Sequence, residues 1–125
     1  MMVGRVLIID DEPELVKAVE VRLKANGYDV EVAYDGKEVI DKAKEIRPDL
    51  ILLDFVMPMM DGYEVARELM ADIEIKQIPI VVLTASQQKD LKTRFREIGI
   101  NAFIVKPFET SELLDMVNKY LSKGI

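Results

Sequence analysis

Four short apolar runs, Val6 to Ile9, Leu50 to Leu53, Ile80 to Leu83 and Phe103 to Val105, are separated by longer amphipathic stretches. This alternation constrains the fold more than any other feature. Strands that alternate with helix-length segments form βαβ units, which require a parallel sheet with helices packed on its faces. A strand sheltered on both faces reads as an unbroken apolar run, so these four runs predict interior strands. Val30-Glu31-Val32 alternates, which predicts a fifth strand at an edge. The segments between supply five helices: Glu14 to Ala25, Gly36 to Ile46, Gly62 to Met70, Gln87 to Ile98, and Thr110 to Leu121. Pro13 suits a first helical turn, Asp35 and Asp61 suit helix entries, and Asn26-Gly27 and Gly99 suit helix ends. Right-handed crossovers then give an α/β fold: a doubly wound, five-stranded parallel sheet of order 2-1-3-4-5 with five helices on two faces. That order puts the alternating second strand at an edge.

The 125 residues suffice for one domain with a sizeable core, spanning 1–125. The chain has neither Cys nor His, which excludes thiol nucleophiles, disulfides and the commonest zinc ligands and general base. Its 17 basic and 23 acidic residues leave a net charge of −6, and the basic residues are scattered, which disfavours direct nucleic-acid binding. No apolar run approaches the roughly 20 residues that span a bilayer, and Met1 to Arg5 has no signal-peptide character. A cytoplasmic protein without a membrane partner is expected.

Each of the four apolar runs gives way to a polar residue: Ile9 to Asp10-Asp11, Leu53 to Asp54, Leu83 to Thr84, and Val105 to Lys106. The carboxyl ends of parallel strands share one rim, so three carboxylates, a hydroxyl and an ammonium should converge there, with Asp54 displayed rather than buried. Two carboxylates about 5 Å apart repel by roughly 3 kcal/mol at an effective dielectric near 20. One Lys cannot neutralise three acids, and hard oxygen ligands without His or Cys favour Mg²⁺. With Mg²⁺ held by Asp11 and Asp54, a free oxygen of Asp54 is placed to attack phosphorus, giving an aspartyl phosphate.

The segments IIDDE, LLDFVMPMMDG, VVLTA and FIVKPF resemble those of receiver domains from bacterial two-component response regulators, chemotaxis regulators among them, over almost the whole chain. The resemblance implies a flavodoxin-like fold and a signalling phosphoacceptor, not a turnover enzyme, that catalyses its own Mg²⁺-dependent phosphorylation and dephosphorylation. It implies that Asp54 accepts a phosphoryl group from a phosphohistidine on a sensor histidine kinase or phosphotransfer protein. Asp10 and Asp11 match the metal-holding pair, Asp11 directly and Asp10 largely through water, and the backbone carbonyl of Val56 is a further ligand. Thr84 matches the switch hydroxyl, Lys106 the lysine that pairs with the phosphoryl group, and Pro107 the residue after a cis bond. An altered surface at the fourth helix, fifth strand and fifth helix would then bind an unidentified downstream target, the chain being a monomer or weak dimer.

Phe103 stands where many such domains carry a switch Tyr, so coupling would work by packing alone. Val56 and Ser86 stand two residues beyond Asp54 and Thr84, and neither is acidic or an amide, which implies a phosphorylated state that is not among the fastest to decay. Lys89, Lys92, Arg94 and Arg96 form a solvated face of the fourth helix beside the expected output surface. Two other classes share parts of the pattern. An aspartyl-nucleophile phosphohydrolase normally has a second acid where Val56 stands, and a flavodoxin-like FMN binder would not have the acidic DDEPE loop. Ser122 to Ile125 end the chain soon after the fifth helix, as in a free-standing regulator or a piece of a longer one.

Overall fold

Aliphatic and β-branched runs become strands where both of their faces are covered, and the computed structural model shows what covers them. It describes residues 4–34, 36–54, 56–57, 60–85 and 89–121. The strands are β1 (Gly4–Ile9), β2 (Tyr28–Ala33), β3 (Leu50–Asp54), β4 (Ile80–Thr84) and β5 (Ala102–Val105). The helices are α1 (Pro13–Ala25), α2 (Gly36–Ile46), α3 (Gly62–Ala71), α4 (Lys89–Glu97) and α5 (Thr110–Leu121). All pairings in the main sheet are parallel, and the spatial order is β2-β1-β3-β4-β5. This is the flavodoxin-like 2-1-3-4-5 arrangement.

Strand periodicity divides the core in two. Val6, Ile8, Leu52 and Leu83 face one side, where they meet Val16, Val19 and Leu23 of α1 and Leu113 and Val117 of α5. Leu7, Ile9, Ile51 and Val82 face the other, against Val39 of α2, Leu69 of α3 and Phe95 of α4. Each fully buried aliphatic or aromatic side chain contributes about 1.5–3 kcal/mol relative to exposure, so the central strands are held hard from both faces.

The fifth strand departs from expectation. β5 is the second edge of the sheet, as the order 2-1-3-4-5 requires, and not the interior strand that its apolar run predicts; of its four residues only Ile104 is buried. Its apolar run packs against neighbours without being enclosed by them. The other boundaries shift by a residue or two: β1 starts at Gly4, and α1 starts at Pro13. Gly27 (φ 90°) and Gly99 (φ 97°) adopt the left-handed backbone that ends α1 and follows α4. Asp35, Gln87 and the side chain of Asp61 lie outside the described residues. Beyond β3, Val56–Met57 pairs antiparallel with Met60–Asp61, a two-residue ladder that sequence patterning is too short to reveal. Among the described residues no helix is long and apolar enough to cross a membrane.

Candidate functional site

Strand register brings distant residues to one rim. Ile9 lies beside Leu53, Asp54 beside Leu83, and Thr84 beside Val105. The ladder continues past the strand ends: Lys106 N donates to Thr84 O at 2.7 Å, and Asp10 N donates to Ala33 O at 3.3 Å. Asp10, Asp54, Thr84 and Lys106 therefore emerge side by side, because the sheet fixes their backbones.

Lys106 Nζ lies 2.8 Å from Glu12 Oε1, 3.1 Å from Asp54 Oδ1 and 3.8 Å from Asp10 Oδ2. The expectation that Asp54 is displayed needs correction. Asp10, Asp54 and Thr84 are the buried polar residues among those described, at 1%, 4% and 1% exposure. Asp54 sits at the floor of a pit, with the Lys106 ammonium in contact and the carboxylates of Asp10 and Glu12 alongside. A one-dimensional pattern shows that a strand ends in an acid, but not what closes over it.

Asp10, Glu12 and Asp54 each offer a carboxylate oxygen, and these oxygens lie within 4.8 Å of one another. Burial raises the Asp10 pKa from 3.8 to about 6; the Glu12 backbone N–H and Lys106 oppose the rise, and the charges of Asp54 and Glu12 add to it. Burial pushes the Lys106 pKa down, but the Glu12 hydrogen bond and the Asp10 and Asp54 carboxylates outweigh it, and the net direction is up. Asp10 Oδ1 accepts the Glu12 N–H at 3.0 Å, while Asp10 Oδ2 is buried without a hydrogen-bond donor. An orphaned buried oxygen, beside two further carboxylates and only one ammonium, fits a hard divalent cation such as Mg²⁺.

Asp11 follows Asp10 and is half-buried, outside that closely spaced set. The backbone of Val56 comes two residues after Asp54 and pairs with Asp61; its side chain and all of Ser86 lie outside the described residues, as does the Lys89 side chain. The Lys106-Pro107 bond is cis. Phe103 is half-buried, with its ring edge-on to the buried Phe95 at 6.0 Å and with Lys92 Nζ and Arg96 Cζ over it at 5.7 and 5.8 Å. Two of the cations assigned to a solvated face are thus engaged with this ring, and a third, Arg94, lies 4.1 Å from the centroid of Tyr63.

Glu12 joins the site although no apolar run ends on it, so the strand-end pattern does not single it out. A signal was present. Glu12 stands at the N-cap of α1, immediately before Pro13, where Ser, Thr, Asp or Asn is the usual choice, and its side chain makes no cap hydrogen bond. Beside the pit, Glu12 and Lys106 border a cleft of about 320 Å³ whose other walls are Leu15, Ala85, Pro107 and Phe108. A larger cleft of about 510 Å³, bordered by Arg47, Pro48, Ile73 and Pro79, lies at the amino ends of the strands, away from the converging acids.

Residues 6–118 match the response regulator receiver domain. The chain is similar to the chemotaxis response regulator CheY4 of Vibrio cholerae, with 33% identity, 97% of this chain and 100% of that chain covered, and a TM-score of 0.88. It is also similar to the receiver domain of a signal transduction histidine kinase from Syntrophus aciditrophicus, with 33% identity, coverage of 97% and 92%, and a TM-score of 0.85. A third likeness is to the receiver domain of the sensor histidine kinase PA1611 from Pseudomonas aeruginosa, whose structure has a magnesium ion coordinated in the active-site cleft; identity is 29%, coverage 96% and 98%, and the TM-score 0.84.

Proposed function

The chain belongs to the response regulator receiver domain family, and from that premise we propose that it is a phosphoryl-accepting switch whose acceptor is Asp54. A carboxylate oxygen of Asp54 attacks the phosphorus of a phosphohistidine on a sensor kinase or phosphotransfer protein. The P–N bond breaks, and its electron pair leaves with the imidazole nitrogen. Asp10, Asp11, Asp54 and the Val56 carbonyl would hold Mg²⁺, which when bound neutralises charge on the phosphoryl oxygens. The observation that carries the reading is the buried pit itself: one carboxylate in contact with an ammonium at 3.1 Å, next to an orphaned carboxylate oxygen.

The residues of the chain supply the rest. Burial of Asp54 excludes bulk water from the acceptor, which slows loss of the phosphoryl group, and Val56 and Ser86 offer no acid or amide to position a hydrolytic water. Lys106 pairs with one phosphoryl oxygen, and the Thr84 hydroxyl turns to donate to another. Movement of Thr84 leaves space that the Phe103 ring fills, which reshapes the surface of α4, β5 and α5 for a downstream target. The module works in the cytoplasm as one domain over 1–125, as a monomer or weak dimer. Incubation with acetyl phosphate and Mg²⁺, followed by intact-mass measurement, tests the acceptor. Wild type gains one phosphoryl group and Asp54→Asn gains none; equal modification of both would refute the assignment.

A further inference from the structure

We propose that Glu12 is a positioning residue for Lys106: its carboxylate holds the ammonium at the mouth of the pit, and phosphorylation hands that ammonium down to the phosphoryl oxygens on Asp54. The proposal rests on the reading of Asp54 as acceptor. Three observations carry it. First, the shortest contact of Lys106 is with Glu12, at 2.8 Å, rather than with Asp54, at 3.1 Å. Second, the three side chains are graded in depth, at 57% exposure for Glu12, 16% for Lys106 and 5% for Asp54, so the ammonium is suspended between a carboxylate near solvent and one at the floor. Third, Glu12 occupies the N-cap of α1 yet makes no cap hydrogen bond, and its carboxylate reaches across to a residue 94 positions away.

The chemistry sets the direction. A Lys side chain is a point charge on a flexible four-carbon stem, with three donors that can be shared between acceptors. A phosphoryl group on Asp54 brings nearly two negative charges and several strong acceptor oxygens to the floor of the pit. The pair at the mouth is partly solvated and therefore weak, so Lys106 leaves Glu12 readily but not without cost. Glu12 thus fixes the lysine in the unmodified protein and draws against the modified state. Removing its charge should favour any phosphoryl-like group on Asp54.

The test is a ¹⁹F NMR titration with beryllofluoride, a phosphoryl mimic, at saturating Mg²⁺ so that any loss of metal affinity in the variant does not enter. Glu12→Gln should bind beryllofluoride about threefold more tightly than wild type, the size expected for release of a weak exposed pair. The ¹H–¹³C signals of the Lys106 ε-methylene in the free variant should already be displaced toward their position in beryllofluoride-bound wild type. Equal or weaker affinity overturns the proposal. So does tighter binding with unmoved Lys106 signals, because Glu12 would then act by repelling the anion and not through the lysine. A wild-type signal that survives Asp54→Asn would instead strike at the acceptor assignment, which separates the two failures.

Discussion

Replacing Asp10 with Asn should stabilise the metal-free protein, although Asp10 lies in the site. Burial, opposed by the Glu12 N–H and Lys106 and reinforced by Asp54 and Glu12, raises the pKa of Asp10 from 3.8 to about 6. At about 1.4 kcal/mol per tenfold change in proton affinity, the charged form of Asp10 costs the folded chain about 3 kcal/mol. From pH 3.8 to about 6 the folded chain retains a proton that the unfolded chain has released, so stability falls as pH rises through that window, and the full penalty is present above it. Asn avoids the charge, and its carbonyl can still accept the Glu12 N–H. In urea titrations with a chelator at pH 7.5, Asp10→Asn should therefore be about 2–3 kcal/mol more stable than wild type, or about 10 °C higher in Tm for a domain of this size. The gap should shrink toward zero near pH 4. Mg²⁺ at a hundredfold excess over Kd should stabilise wild type by about 2.7 kcal/mol and the variant far less, which largely erases the difference. A variant no more stable than wild type at pH 7.5, or a gap that does not change between pH 4 and 7, refutes the reasoning.

Val56→Asn should shorten the lifetime of phosphorylated Asp54 several-fold by supplying an amide to hold the attacking water; a lifetime equal to or longer than that of wild type, followed by loss of the added mass, contradicts this. Changing both Lys92 and Arg96 to Met removes the two cations over the Phe103 ring. Each such contact at an exposed site contributes about 0.5–1 kcal/mol, so thermal melting should fall by a few degrees and the Phe103 ring signals should shift. Unchanged melting with unchanged ring signals would show that the cations do not hold the ring.

Five strands, five helices and their order were legible in the sequence, because buried parallel strands and amphipathic helices impose different periods on the same chain and crossover handedness leaves few ways to join them. The convergence of Asp10, Asp54, Thr84 and Lys106 was legible too, since each directly follows or ends an apolar run and parallel strands end together. Only the tertiary structure decided the depth of the site, the contact of Glu12 with Lys106 and how little of β5 is enclosed. Depth depends on what packs above a residue, and the reach of Glu12 to Lys106 joins positions 94 apart in sequence. The enclosure of β5 depends on whether another strand lies beyond it. Periodicity along a chain records which face a residue turns inward; it holds no record of the distant groups that will meet it there.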